Sequence, residues 1–217
     1  MYQVAILLFN EVEVLDFAGP FEVFAVTEVE GQRPFSVFTV AERGPVYARN
    51  GLSVNPTYLL NDHPQADLIV VPGGGGFLAD GTPLGTRREM NNEALQKWVR
   101  RHAAAGALVL SVCTGARLLA KAGLLEGLTV TTHFTAAADL QRLAPGAQVE
   151  ATHRWTDNGN ILTSAGISAG IDLSLYVVSR LLGPEVAAAT AKKMQYEPWP
   201  VAQQSDWAAS VLAQHEG

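Results

Sequence analysis

Ala107-Leu108-Val109-Leu110-Ser111-Val112, followed by Cys113-Thr114-Gly115 and then Ala116-Arg117-Leu118-Leu119-Ala120, moves from a strand to a helix within three residues. The apolar run has strand length, and the residues after Gly115 resume with helical spacing. A strand apolar throughout is covered on both faces, as in the parallel sheets of α/β folds. It delivers Cys113 to the carboxyl edge of that sheet, where open α/β folds bind ligands. The helix behind it turns free amides and a positive dipole end toward the sulfur, which favours thiolate and predicts a nucleophile. An unpaired cysteine is often only a small buried hydrophobe. Thr114-Gly115 weigh against that, because they make a tight turn built like the nucleophile elbow of hydrolases, though without its serine motif.

Outward from this point, short apolar runs alternate with helical patterns, the order expected of parallel βα units. Val4 to Phe9 reads as the first strand, and Phe17 to Phe24 has helical spacing behind Asp16. Phe35 to Val40 is a second strand, and Tyr47 to Val54 reads as an exposed hairpin with Asn50-Gly51 as a two-residue turn. Leu68 to Val71 is a buried strand that stops at Pro72-Gly73-Gly74-Gly75-Gly76. Four glycines let backbone amides approach a neighbour closely, but no Lys-Ser or Lys-Thr follows to make a phosphate loop. Asn91 to Ala104 is a helix, Leu128 to Thr132 is a strand ending at His133, and Phe134 to Leu143 is the next helix. Short strands follow at Ala147 to Ala151, Arg154 to Thr156 and Ile161 to Ser164, the last two joined at Asp157-Asn158-Gly159-Asn160. Helices are expected at Ile171 to Leu182, Pro184 to Met194 and Ala202 to His215.

Composition narrows the function. The 217 residues suit one domain, and 48% hydrophobic against 17% charged residues exclude a disordered chain. A net charge of −6, with no basic cluster larger than doublets such as Arg87-Arg88 and Arg100-Arg101, lacks the footprint of a nucleic-acid binder. One cysteine forms no internal disulfide, so a cytoplasmic location is expected. The apolar start, Met1 to Phe9, is too short to span a bilayer and has no basic leader, so no membrane association is expected.

The residues just past the strand ends form a coherent set: Asp16, Gly73 to Gly76, Cys113 with Thr114, and His133. A nucleophile, proton carriers and amides aimed at developing charge are what cysteine-based addition or hydrolysis requires. Asp16 also reads as the cap of a helix starting at Phe17, and His133 as a satisfied polar residue at a helix start. The five histidines show no metal-ligand spacing, so no metal is expected.

Five segments together make the chain resemble the ThiJ/PfpI superfamily, a branch of the class I glutamine-amidotransferase-like fold. They are Leu15-Asp16-Phe17-Ala18-Gly19-Pro20, Val71-Pro72-Gly73-Gly74, Ser111-Val112-Cys113-Thr114-Gly115, Thr131-Thr132-His133-Phe134 and Ser164-Ala165-Gly166-Ile167-Ser168-Ala169-Gly170-Ile171-Asp172. The resemblance implies a flavodoxin-like three-layer α/β sandwich with a mostly parallel sheet. It spans residues 1–195 as one domain and leaves 196–217 as a helical tail.

Within the superfamily the pattern is similar to isonitrile hydratases and to the amidase-like domains of AraC-type regulators, which share the aspartate and the Cys-Thr-Gly elbow. The protease-like branch carries a glutamate and a histidine after the cysteine, where this chain has Asp16 and Thr114. The regulators add a helix-turn-helix module, for which the residues after the match leave no room, so no DNA contact is expected. The resemblance implies a hydratase with Cys113 as nucleophile, Asp16 as proton donor, Thr114 and the amides of Gly74 and Gly75 as positioning groups, no cofactor, and a homodimer. The alternatives are a glyoxalase-like lyase acting on methylglyoxal, with His133 moving a proton, and a non-enzymatic oxidative-stress sensor built on Cys113. Phe77, Phe134, Tyr196 and Trp199 are candidate pocket walls.

Overall fold

The computed structural model describes residues 1–196. In chain order its elements are β1 (Tyr2–Leu7), α1 (Val14–Val26), β2 (Phe35–Ala41), β3 (Val46–Tyr47), β4 (Ser53–Val54), β5 (Tyr58–Leu59) and β6 (Leu68–Val71). Then come β7 (Gly75–Phe77), β8 (Pro83–Gly85), α2 (Thr86–Glu89), α3 (Glu93–Ala104), β9 (Leu108–Val112), α4 (Ala116–Lys121) and β10 (Thr129–Val130). The rest are α5 (Ala137–Leu143), β11 (Gln148–Val149), β12 (Trp155–Asp157), β13 (Ile161–Ser164), α6 (Ala169–Leu182) and α7 (Pro184–Lys193). The terminal helix expected at Ala202 to His215, and with it Trp199, lies outside the described residues.

A seven-stranded sheet runs in the order β12-β13-β9-β6-β1-β2-β5. All neighbours are parallel except the β12–β13 hairpin. The chain moves from β1 outward to β2 and β5, then returns to the other side of β1 to lay down β6, β9 and β13. The direction therefore reverses between β1 and β6, and that reversal opens a crevice beyond the carboxyl ends of those strands. Helices α1, α6 and α7 pack on one another, and α3, α4 and α5 form a second group. The interior strand β9 touches α6 as well as α3 and α4, so it is covered on both sides. This is the mostly parallel, flavodoxin-like α/β fold expected from the unbroken apolar runs, and Val4 to Leu7 and Leu68 to Val71 are buried accordingly.

Two local expectations change. The hairpin between β3 and β4 turns through Arg49–Gly51, a three-residue loop rather than a two-residue turn. Asn50 and Gly51 both have positive φ, and the Ala48 amide closes the loop on the Leu52 carbonyl at 2.8 Å. Helix α1 begins at Val14, so Asp16 lies inside its first turn and does not cap it. The N-cap is Glu13, whose side chain makes no capping bond and instead pairs with Arg49 at 3.2 Å. Among the described residues no helix is long and apolar enough to cross a membrane.

Candidate functional site

Cys113 sits at the end of β9 with φ of +57°, a conformation that costs a residue with a side chain about 1 kcal/mol or more and persists only when its surroundings hold it. They do so here. The Cys113 amide donates to the Ala165 carbonyl at 3.1 Å, and the Thr132 hydroxyl donates to the Cys113 carbonyl at 2.7 Å. A tight turn, Cys113–Gly115, then leads into α4. Gly115 is required because a Cβ at that position would stand 2.0 Å from the Val71 carbonyl oxygen. The elbow anticipated from Thr114-Gly115 is thus present, with its strain carried by the cysteine itself.

The carboxyl of Asp16 reaches the elbow from the β1–α1 connection. Its Oδ2 accepts from the Gly73 amide at 2.9 Å, and the Glu13 amide in turn donates to the Gly73 carbonyl at 3.0 Å. Gly73 passes so close that a Cβ there would be 2.7 Å from Asp16 Oδ2 and 2.6 Å from the Thr114 nitrogen. Asp16 is fully buried, and its Oδ1 has no hydrogen-bond partner among the described residues. The Cys113 thiol stands beside it.

These two groups set each other's protonation. Burial pushes the Asp16 carboxyl up to about 7, opposed by the Gly73 amide, with the Glu13 charge raising it further. Burial, then the Asp16 charge, pushes the Cys113 thiol up to about 12, while the amides of Thr114 and Ile167 aimed at the sulfur pull the other way. The thiolate expected from a helix N-terminus is therefore opposed by the low dielectric and by a carboxylate at its side. The pair releases its first proton near neutrality and holds the second, which stays on the sulfur.

The remaining expected residues fall around this pair. The Thr114 hydroxyl accepts from the Gly74 amide at 3.0 Å and from the Thr86 hydroxyl at 3.1 Å, fastening the glycine segment to the elbow. The Gly74 amide is thereby turned to Thr114, while Gly75 opens β7 and lines the cleft. His133 is half-buried at the cleft. Its Nδ1 accepts from the Thr135 amide at 3.3 Å and lies 2.8 Å from the Thr135 hydroxyl, which assigns the proton of the neutral ring to Nε2.

A cleft of about 190 Å³ above Cys113 is lined by Gly74, Gly75, Thr114, His133 and Ile167, with Glu13, Arg49 and Arg87 at its charged side. Of the candidate walls, Phe77 and Phe134 are exposed. Tyr196 lies away from the cleft and donates to Asp172 at 3.1 Å. The charged side and Ile167 escape sequence reasoning. Ile167 contributes its backbone amide, at φ of +51°, and the only signal is the Gly166 before it. That loop is held by Arg154, which donates to Ser168 at 2.9 Å and to Asp172 at 2.6 Å. Among the described residues no three His, Cys, Asp or Glu side chains cluster as metal ligands.

Comparison with known proteins gives the same picture. The isonitrile hydratase of Pseudomonas putida is 35% identical over 199 residues, covering 91% of this chain and 80% of that protein. The HTH-type transcriptional regulator CdhR of Pseudomonas aeruginosa is 34% identical over 154 residues, covering 70% of this chain and 42% of that protein. The crystal structure of a ThiJ/PfpI family protein from Pseudomonas syringae superposes with a TM-score of 0.77 at 28% identity, covering 93% of this chain and 78% of the other. Residues 2–180 match the DJ-1/PfpI family, and with a buried acid, a strained cysteine elbow and a mostly parallel sheet in place, the chain belongs to that family.

Proposed function

We propose that this protein is a cysteine-dependent hydratase that adds water to an isonitrile, R–NC, to give the formamide R–NH–CHO. The observation that carries this reading is the buried Asp16 carboxyl beside the Cys113 thiol at the carboxyl edge of the sheet, with the amides of Thr114 and Ile167 aimed at the sulfur. An isonitrile needs a nucleophile and a proton at the same terminal carbon, and the pair supplies both from adjacent atoms. The similarity to the isonitrile hydratase of Pseudomonas putida supports it.

In the first step the Cys113 sulfur bonds to the terminal carbon and the proton that the pair holds moves through Asp16 to that carbon, giving a thioimidate, R–N=CH–S–Cys113, with Asp16 left as carboxylate. Asp16 then takes a proton from water as the water oxygen bonds to the same carbon, and passes that proton to nitrogen. The C–S bond of R–NH–CH(OH)–S–Cys113 breaks as the hydroxyl proton returns to the pair. Water has supplied both hydrogens and the oxygen gained by the product. The amides of Thr114 and Ile167 face the sulfur, where they stabilise it as nucleophile and leaving group. Thr114 and Gly74 hold the strap in place, and His133 lies at the cleft wall outside the proton path.

The deciding experiment incubates purified protein with ethyl isocyanide and, separately, with methylglyoxal, beside Cys113→Ser. Formamide that depends on Cys113 supports the reading. Lactate without formamide selects the glyoxalase-like reaction, and neither product overturns both enzymatic readings in favour of a sensor. This proposal includes a homodimer, since exposed Leu15, Phe134 and Ile167 belong to segments bounding the cleft. A monomeric mass by light scattering would remove that part.

A further inference from the structure

One side of the cleft has a charge that no side chain among the described residues answers. Arg87 lines the cleft together with Cys113, and its guanidinium lies 4.7 Å from the centroid of the Phe77 ring. It has no hydrogen bond and no ion pair among the described residues. The carboxylate it feels, Asp139, is already engaged by two other guanidiniums: buried Arg117 at 2.8 Å and Arg142 at 3.2 Å. Across the cleft, Arg49 is paired with Glu13. The lining residues thus hold two guanidiniums against one carboxylate, with the surplus on the head that is stacked and partly removed from water.

A guanidinium fixed by an aromatic face and lacking a partner presents a planar fork of donors, which matches a carboxylate in two parallel hydrogen bonds. The cleft is small, so a substrate whose reacting carbon meets the Cys113 sulfur keeps its far end near Arg87. We infer that Arg87 reads a carboxylate on the non-reacting end of the substrate, so that the protein prefers a short carboxylate-bearing isonitrile over a neutral one of the same shape. The substrate class rests on the hydratase reading; the carboxylate preference does not. Phe77 serves as the platform that aims the fork, a role consistent with its exposure on β7.

The test compares 3-isocyanopropanoate with 3-isocyanopropanamide, and in parallel measures binding of the corresponding products, N-formyl-β-alanine and its amide, by calorimetry. The expected result is a kcat/KM and an affinity about tenfold or more in favour of the acid at low salt, weakening as salt screens the pair. Arg87→Gln is expected to bring the acid-to-amide ratio close to one, and Arg87→Lys to restore part of it. A wild-type ratio at or below one, or a ratio unchanged in Arg87→Gln, overturns the inference. Turnover of both isonitriles without preference leaves the hydratase standing and removes the carboxylate. Acid-selective binding of the product without turnover of either isonitrile does the reverse. Failure of both products to bind, with no turnover, removes both.

Discussion

Asp16 and Cys113 arrive from two different βα connections and meet with the carboxyl of one beside the thiol of the other, both screened from solvent. Asp16 Oδ2 is anchored on the Gly73 amide at 2.9 Å, and Oδ1 is buried with no hydrogen-bond partner among the described residues. Burial raises both groups, the Glu13 charge raises Asp16 further, and the Asp16 charge raises Cys113 further.

Asp16→Asn removes the proton carrier while keeping the volume and an acceptor for the Gly73 amide. A fall in kcat on the order of 10²–10⁴-fold is expected for loss of a positioned acid and base. The wild-type pH profile should bend near 7, following the pair, and that bend should be absent from the variant's residual activity. Steady-state kinetics from pH 5 to 9 check both points.

The same carboxyl gives a stability signature. Its folded pKa of about 7 lies above the ordinary 3.8, so between those values the folded protein holds a proton that the unfolded chain has lost. Stability from this group is therefore greatest below about pH 4, declines as pH rises to about 7, and is level beyond. The decline is on the order of a few kcal/mol. Asp16→Asn should flatten it, so the variant gains on wild type above pH 7 in urea unfolding followed at several pH values.

Thr114→Val keeps the shape of the side chain but deprives the Gly74 amide of its acceptor. The expected cost is about 1–3 kcal/mol of stability with roughly a tenfold loss of kcat, and Thr114→Ser should recover most of both. Thermal melts together with turnover distinguish a displaced strap from a lost catalytic group.

Arg154→Met breaks a largely buried ion pair and leaves the Asp172 carboxylate, already raised by burial, without that partner. A loss of about 3–5 kcal/mol is expected, and Arg154→Met with Asp172→Leu should regain much of it. The single variant should also lower kcat, since Arg154 holds the loop that aims the Ile167 amide at the sulfur.

His133→Ala should reduce kcat/KM by less than about tenfold if Asp16 carries the proton. A loss equal to that of Cys113→Ser would favour the glyoxalase-like reaction, in which the imidazole takes that part. Parallel assays on an isonitrile and methylglyoxal settle which.

The sheet and the elbow are legible in the sequence because they are local: an apolar run of strand length and a small-residue break announce themselves in consecutive residues. The alignment of Asp16, Gly73 and Cys113 along one edge follows from the rule that parallel strands present their carboxyl ends together, whereas His133 follows β10, which belongs to a separate two-stranded sheet rather than to the main one. The state of the thiol is not legible, because a helix behind Cys113 can be read from spacing while the buried carboxyl at its side arrives from a segment 97 positions away by the numbering. Asp16 resembles a cap in one dimension, since nothing in the chain marks Val14 as the first helical residue. Ile167 is invisible for another reason: its contribution is a backbone amide, which any residue but proline possesses. Arg87 looks like half of an ordinary basic pair until the fold shows its neighbour Arg88 paired with Glu89 and Arg87 with no such partner among the described residues.

The reversal of chain direction between β1 and β6 has a consequence for how this protein acquires its chemistry. The acid, its glycine anchor and the cysteine are supplied by β1, β6 and β9, three adjacent strands laid down far apart in the chain. Before those strands align, Asp16 is an ordinary acid in water and Cys113 an ordinary thiol, and neither shifts the titration of the other. Assembly of the Asp16–Cys113 pair thus waits on a long-range closure of the sheet, the slow class of event in folding. A nascent or partly opened chain lacks this pair and carries a thiol that ionises more readily than the buried one, and recovery of the anomalous titration near neutrality would report that the sheet's centre has closed.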